Sequence, residues 1–367
     1  MTDATMIQGV CPDRFAAVRD ALQANFDDAP EGLNELAARF SVCLDGEVVV
    51  DLWGGHSDTG RTQAFGAYTL VPVFSTGKAV MALLMARAVD AGALRYDQPV
   101  ADLWPDFAQA GKAGVTVAQL MSHQAGLPGF SEAVTARLAA QAPMWPPGTA
   151  SGYHPVTVGY LANHLFQRAT GRTMGQALRE DFPELDLWIG LPESEHGRVA
   201  QMRKPTAAPS LGTIDPIKQA AFLDRGSAPG GRGSTEWRKM EIPSANLHGT
   251  AAGLARMLGV VATGGRLDGE TVVSTEALEQ LTRERIHGPD KVLPYDISWA
   301  AGLMRNTGLH VFGPGEQALG HYGWGGSMAM ADPERGLSAA YVMTRQSPHL
   351  IGDLRPKRLL EALYAAL

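Results

Sequence analysis

Residues 38–53 constrain the fold most. Phe40, Val42 and Leu44 alternate, Asp45-Gly46 intervenes, and Val48, Val50 and Leu52 alternate again. Asp-Gly between two alternating apolar runs signals a two-residue hairpin, because both central residues of that turn need a positive φ. A hairpin must pair with further strands to be stable. Strand-like runs recur at the far end of the chain, at 297–304, 326–331 and 337–344. Helical patterns fill most of the rest. Residues 13–28 place Phe15, Val18, Leu22 and Phe26 on one face. Further helices are predicted from Ser75 to about Ala91 with Gly92 as the stop, and at 156–169, 174–180, 216–223, 250–262 and 354–366. Strands at both ends with helices between predict one sheet shared by the termini. The predicted division is an α/β sandwich domain of residues 1–94 and 236–367, with a mostly helical inserted subdomain at 95–235.

Composition removes several classes of function. The chain has 367 residues, a net charge of −7 and no basic cluster, which speaks against a nucleic-acid partner. Its two cysteines, Cys11 and Cys43, are too few for a disulfide framework or a metal cluster. No His-x-x-x-His or Cys-x-x-Cys spacing occurs, so neither a metal nor a cofactor is expected. The glycine run at 229–234 lacks a following Lys-Ser/Thr pair and makes a poor phosphate loop. No secretory signal and no bilayer-spanning apolar run is visible, which predicts a cytoplasmic protein without a membrane partner. A homo-oligomer stays open.

Three segments carry chemistry. Ser75-Thr76-Gly77-Lys78 opens a predicted helix, and residues three apart on a helix share a face. Lys78 can therefore reach the Ser75 hydroxyl, which needs a base or a nearby charge to become a nucleophile. The same residues also suit a plain helix start, with Ser75 as cap and Lys78 in the solvated first turn. Tyr153-His154-Pro155 lies at a loop–helix junction. A tyrosine near a lysine ammonium can act as a general base; the competing role is a packing tyrosine. His321-Tyr322-Gly323-Trp324-Gly325-Gly326-Ser327 is glycine-dense, so its backbone can approach a substrate closely, or it is simply a glycine-rich hairpin. His123 reads as a structural hydrogen-bonder. No Gly-x-Ser-x-Gly elbow is present, against the α/β-hydrolase fold.

In this order the segments resemble the serine β-lactamase and penicillin-binding-protein-like superfamily, with the closest likeness to its class C-like, family VIII-type carboxylesterase branch. Ser75-Thr76-Gly77-Lys78 matches the first motif. Leu120-Met121-Ser122-His123-Gln124-Ala125-Gly126-Leu127 is similar to the family's Leu-Leu-x-His-Thr-Ser-Gly-Leu segment. Pro147-Gly148-Thr149, Tyr153-His154 and Gly159-Tyr160-Leu161 resemble its tyrosine segment. Gly320-His321-Tyr322-Gly323, Gly326-Ser327 and Asp332-Pro333 resemble its third motif. The likeness runs from about residue 38 to about 345.

The resemblance implies a β-lactamase-like sandwich, a central antiparallel sheet flanked by helices, with the site between it and a helical subdomain. It implies Ser75 as the acylated nucleophile, Lys78 as its assistant and Tyr153 as base and then leaving-group acid. Whether Lys78 or Tyr153 takes the Ser75 proton stays open. The backbone N–H groups of Ser75 and Trp324 would form the oxyanion hole if His321 is the motif's first residue. Ser327 would replace Trp324 as donor if Trp324 is first.

Two departures shape the function. Pro155 stands where the family has an Asn amide, and His321 stands where it has Lys. A neutral imidazole holds a carboxylate less well than an ammonium. Both changes favour uncharged esters over β-lactams. The expectation is a serine carboxylesterase acting on a small-molecule ester with a short acyl chain, in a pocket lined by Trp145, Phe130 and Trp324. The alternatives are a β-lactamase or D-amino-acid peptidase, an acyltransferase using the same serine, and a non-catalytic binding protein.

Overall fold

A computed structural model describes residues 6–30, 32–129, 135–224 and 231–367. Its centre is a nine-stranded sheet. In chain order the strands are β1 (Gln8–Val10), β2 (Ala37–Leu44), β3 (Glu47–Gly55), β4 (Ile286–Pro289), β5 (Asp296–Trp299), β6 (Met304–Arg305), β7 (Leu319–Tyr322), β8 (Met328–Asp332) and β9 (Leu337–Met343). They lie in the order β1-β3-β2-β9-β8-β7-β6-β5-β4, and every neighbouring pair is antiparallel. The two ends of the chain meet where β9 pairs with β2, Tyr341 opposite Phe40.

The Asp45-Gly46 hairpin forms as its sequence predicts. Both residues sit in the left-handed region, with φ of 50° and 87°. A bulge between Val42 and Cys43 shifts the register before the turn.

Every residue of β9 is buried, so both faces of the sheet are covered. Leu337, Ala339, Tyr341 and Met343 pack with Phe15 and Leu22 of helix α1 (Ala16–Asp27 with its preceding turn) and with Leu359 and Leu363 of the C-terminal helix Leu354–Ala365. Ala340 and Val342 face the other way, toward a second apolar cluster. Each large apolar side chain among them, fully buried, contributes about 1.5–3 kcal/mol. The second cluster joins Val80 and Leu84 of α2 (Gly77–Asp90), Leu161 and Leu165 of α3 (Thr157–Thr170), and Leu254 and Leu258 of α4 (Ala251–Ala262). The mixed fold is thus a large antiparallel sheet flanked by helices.

Several predicted boundaries move. The run 297–304 is two strands, because the chain turns back at Gly302, whose φ is 93°. The 216–223 helix is a short α turn, Pro216–Lys218, that widens into a π turn at Gln219–Leu223. Strands β1 and β4 escape periodicity because they are short edge strands, β1 wholly exposed and β4 half-buried. None of the described helices is long and apolar enough to cross a membrane.

Candidate active site

α2 is buried from Gly77 through Ala86 on all sides, which is the signature of a helix central to a core. Its first turn therefore carries Lys78 into the protein interior. The chain enters α2 through a 3₁₀ turn, Phe74–Thr76, so Ser75 lies just before the α-helix rather than inside it. Its hydroxyl makes no capping bond there. Phe74 has φ of 49°, a left-handed conformation that costs a non-glycine residue roughly 1–2 kcal/mol. That kink lifts Ser75 toward solvent. It is the one residue between Val71 and Val80 that is not fully buried.

Lys78 is wholly buried with no carboxylate beside it. Its Nζ lies 3.0 Å from Ser75 Oγ, 2.7 Å from the Pro155 carbonyl and 2.9 Å from the Ser244 carbonyl. Burial holds its pKa well below the ordinary lysine range. As an ammonium, Nζ donates to all three oxygens; as a neutral amine, it can keep the two carbonyls and turn its lone pair to the Ser75 hydroxyl. Pro155 replaces the Asn of the resembled motif, and its backbone oxygen is what grips the lysine.

Tyr153 is held from several sides. Its ring stacks on Trp299 at 5.8 Å with an interplanar angle of 3°, and Lys78 Nζ lies 4.7 Å from its centroid. Its backbone N–H donates to Asp290 Oδ1 at 2.8 Å, while Trp299 Nε1 donates to Asp290 Oδ2 at 3.2 Å. One carboxylate thus fixes the tyrosine and the ring beneath it. Burial pushes the Tyr153 phenol above its ordinary value, and a hydrogen bond with Ser75 pulls the other way. Burial prevails, so Tyr153 is a neutral proton donor in the resting site.

Three histidines pack behind it. His123 contacts the Tyr153 ring edge-on at 5.0 Å and accepts from the His154 backbone N–H at 3.3 Å. His154 accepts from Leu127 N–H at 2.9 Å and faces the Gly152 carbonyl at 2.6 Å, which fixes its tautomer as Nδ1–H. His321 Nδ1 likewise faces the Tyr322 carbonyl at 2.7 Å, so Nε2 carries a lone pair, buried and without a partner. Burial drives the pKa of both His154 and His321 down to about 3. His321 is therefore a neutral acceptor, never a cation, at working pH.

The turn after β7 packs directly on the serine. Ser327 Oγ donates to the Val73 carbonyl at 2.9 Å and lies 3.0 Å from Thr76 Oγ1. A Cβ on Gly323 would sit 2.2 Å from both Val73 O and Ser327 Oγ, so only glycine permits this approach. Trp324 then stands beside Phe74, with ring centroids 5.7 Å apart. Among the described residues nothing accepts a hydrogen bond from the backbone N–H of Ser75 or of Trp324. The Ser327 hydroxyl donates to Val73, while its backbone N–H, the alternative donor, likewise has no acceptor among the described residues. Backbone N–H groups left without an acceptor beside the serine are the candidates for an oxyanion hole.

An apolar cleft of about 240 Å³ opens over Ser75. Tyr153, His321 and Trp324 line it, and Phe222, Leu223, Leu211 and Trp237 form much of the remaining wall. Trp145 does not line it. Its indole is buried against Gly152 and His154 and donates to the Ala150 carbonyl at 3.0 Å. Adjacency to a motif in sequence did not decide its direction. Phe130 lies outside the described residues. Sequence reasoning missed the wall residues Leu211, Phe222 and Leu223, which lie in or beside irregular backbone whose side chains carry no regular period to read.

A serine lifted on a strained turn, a buried lysine beneath it and a glycine-hugged hairpin across from it define a serine hydrolase of the β-lactamase fold. The sequence profile of the Beta-lactamase family matches residues 22–364, and the chain belongs to that family. It is 35% identical over 373 residues to "Esterase/beta-lactamase LipL" of Mycobacterium tuberculosis, covering 94% of this chain and 85% of that protein. The crystal structure of a penicillin-binding protein homolog from Caulobacter crescentus superposes with a TM-score of 0.94 at 56% identity, over 99% of this chain and 100% of that one. A family VIII carboxylesterase superposes with a TM-score of 0.91 at 38% identity, over 99% and 100% of the two chains.

Proposed function

We propose that this chain is a serine carboxylesterase that cleaves small esters through an acyl-enzyme on Ser75. The observation that carries the reading is the Lys78 cage: a buried amine whose two carbonyl acceptors leave its lone pair for Ser75 Oγ. In the first half-reaction Lys78 takes the Ser75 proton and Oγ attacks the ester carbonyl. The carbonyl oxygen, now anionic, rests on the N–H groups of Ser75 and Trp324. Tyr153 gives its proton to the departing alkoxide, and Lys78 restores it. Water then repeats the sequence in reverse and releases the acid.

The ester reading over a β-lactam reading is supported by His321. A neutral imidazole on the third motif offers no cation to a β-lactam carboxylate. The name of the family VIII carboxylesterase agrees with it, while the name of the esterase/beta-lactamase relative carries both activities. The apolar lining of the cleft suits an alkyl acyl chain. Both cysteines are free thiols, compatible with work in the cytoplasm.

The test is a fluorophosphonate probe read by intact mass, beside turnover of 4-nitrophenyl butyrate. One adduct on the wild-type chain, none on Ser75→Ala, and loss of turnover in that variant are expected. Unchanged turnover in Ser75→Ala would overturn the reading, and cephalosporin turnover comparable to that of the ester would move it to a β-lactamase.

A further inference from the structure

Among the described residues, the cleft wall holds one charged side chain. Arg232 lines it, with its guanidinium carbon 4.3 Å from the centroid of the Trp324 ring. No acidic residue is among the lining residues, and none of the described residues forms an ion pair or hydrogen bond with Arg232. The other arginines of the site's surroundings are spent otherwise: Arg355 is paired with Glu35 and Asp353, and Arg39 with Asp51. Lys78 is closed in beneath Ser75, and His321 is neutral. Among the described residues, Arg232 is therefore the one cation of the lining that a bound molecule can meet.

Its place is specific. Trp324 touches Arg232 on one side of its contacts and Phe74, the residue before Ser75, on another. Stacking on an indole holds a guanidinium's plane while leaving its N–H edge free for an anion. An anion beside that edge would sit at the rim of the cleft, removed from the scissile carbonyl, with apolar wall between. We propose that Arg232 is an anion-anchoring residue, and that the preferred substrates are carboxylic esters carrying a carboxylate at the end distal to the scissile bond. This rests on the esterase reading above, and it revises the expectation of uncharged substrates. The cation missing from His321 is supplied instead by Arg232, beyond Trp324 from the serine.

The test compares three esters: mono-4-nitrophenyl adipate, with the charge on the acyl arm; 4-carboxyphenyl butyrate, with the charge on the alcohol arm; and neutral 4-nitrophenyl hexanoate. The readout is the ratio of kcat/KM for each anionic ester to that for the neutral one. In Arg232→Gln the ratio for one arm should fall by about tenfold or more, the scale of one lost charged hydrogen bond. Arg232→Lys should keep most of it, and added salt should lower the wild-type ratio but not the variant's. The arm that responds identifies which side of the ester bears the anion. A ratio within threefold of wild type for both arms overturns the proposal. Fluorophosphonate labelling of the same samples separates the two failures. A labelled Ser75 with an unmoved ratio sinks the anchor alone, whereas an unlabelled Ser75 sinks the esterase reading with it.

Discussion

Arg355 Nη2 donates to the Gly325 carbonyl at 3.0 Å, one residue beyond Trp324. Arg355 is itself buried between two carboxylates, 3.1 Å from Glu35 and 2.8 Å from Asp353. A Cβ on Gly326 would lie 2.3 Å from Asp353, so the hairpin rests directly on this charged group. The backbone that offers the Trp324 N–H is thus seated on an ion cluster lying across from the serine turn.

Arg355→Met should cost about 3–5 kcal/mol of stability, because it strands buried carboxylates. Urea unfolding measures it. At a temperature where the variant stays folded, kcat should also fall, since the hairpin loses an anchor beside the oxyanion donor. A variant with wild-type kcat would show that the cluster is structural only.

The two acids around Arg355 are shifted in opposite directions. Asp353 stays below its ordinary pKa through Arg355, although burial opposes it. Burial raises Glu35 from 4.5 to about 8. A raised acid binds its proton more tightly when folded. Its contribution is therefore complete below about pH 4.5 and is lost as pH rises through about 8. The urea midpoint should decline between those limits, and Glu35→Gln should flatten that decline. An unchanged slope in the variant would assign the pH dependence elsewhere.

Lys78 must be neutral to act as base, and burial lowers its pKa well below 10.5. The acid limb of kcat/KM should therefore fall below the ordinary lysine range. Tyr153 is raised, so the alkaline limb should lie above 10. Lys78→Met should lower kcat by about 10²–10⁴-fold and Tyr153→Phe by a similar factor, the usual worth of a positioned proton carrier. An acid limb that persists in Lys78→Met would exclude the lysine as its source.

Gly323→Ala forces a methyl to within 2.2 Å of Val73 O. Backbone cannot yield there cheaply, so overpacking should cost about 1–3 kcal/mol. The hairpin should also shift from Ser75, lowering kcat more than it raises KM. Fluorophosphonate labelling slowed in step with kcat would place the damage at the oxyanion hole.

What the sequence made legible was what side-chain period and identity encode. The Asp45-Gly46 hairpin and the helices from α1 to the C-terminus follow from apolar spacing, and Ser75, Lys78 and Tyr153 from residue type. The acceptors of Lys78 were not legible, because the Pro155 and Ser244 carbonyls are backbone atoms that any residue would supply. Arg355 and Glu35 stand 320 residues apart and look like ordinary surface charges until the fold buries them. Trp145 and Arg232 show the converse errors. The first adjoins a motif yet turns away from the cleft, and the second sits in an aperiodic loop yet enters it.

The three oxygens around Lys78 Nζ come from positions 3, 77 and 166 residues away along the chain. Helix α2 can form early, but its amine stays wet until the other two segments dock. A wet lysine is an ammonium and no base. Chemical competence therefore arrives last in folding, after the helices have formed. A refolding chain should regain its circular dichroism before its turnover, and a clip between residues 155 and 244 that loosens either carbonyl should silence the serine while leaving most of the helix intact.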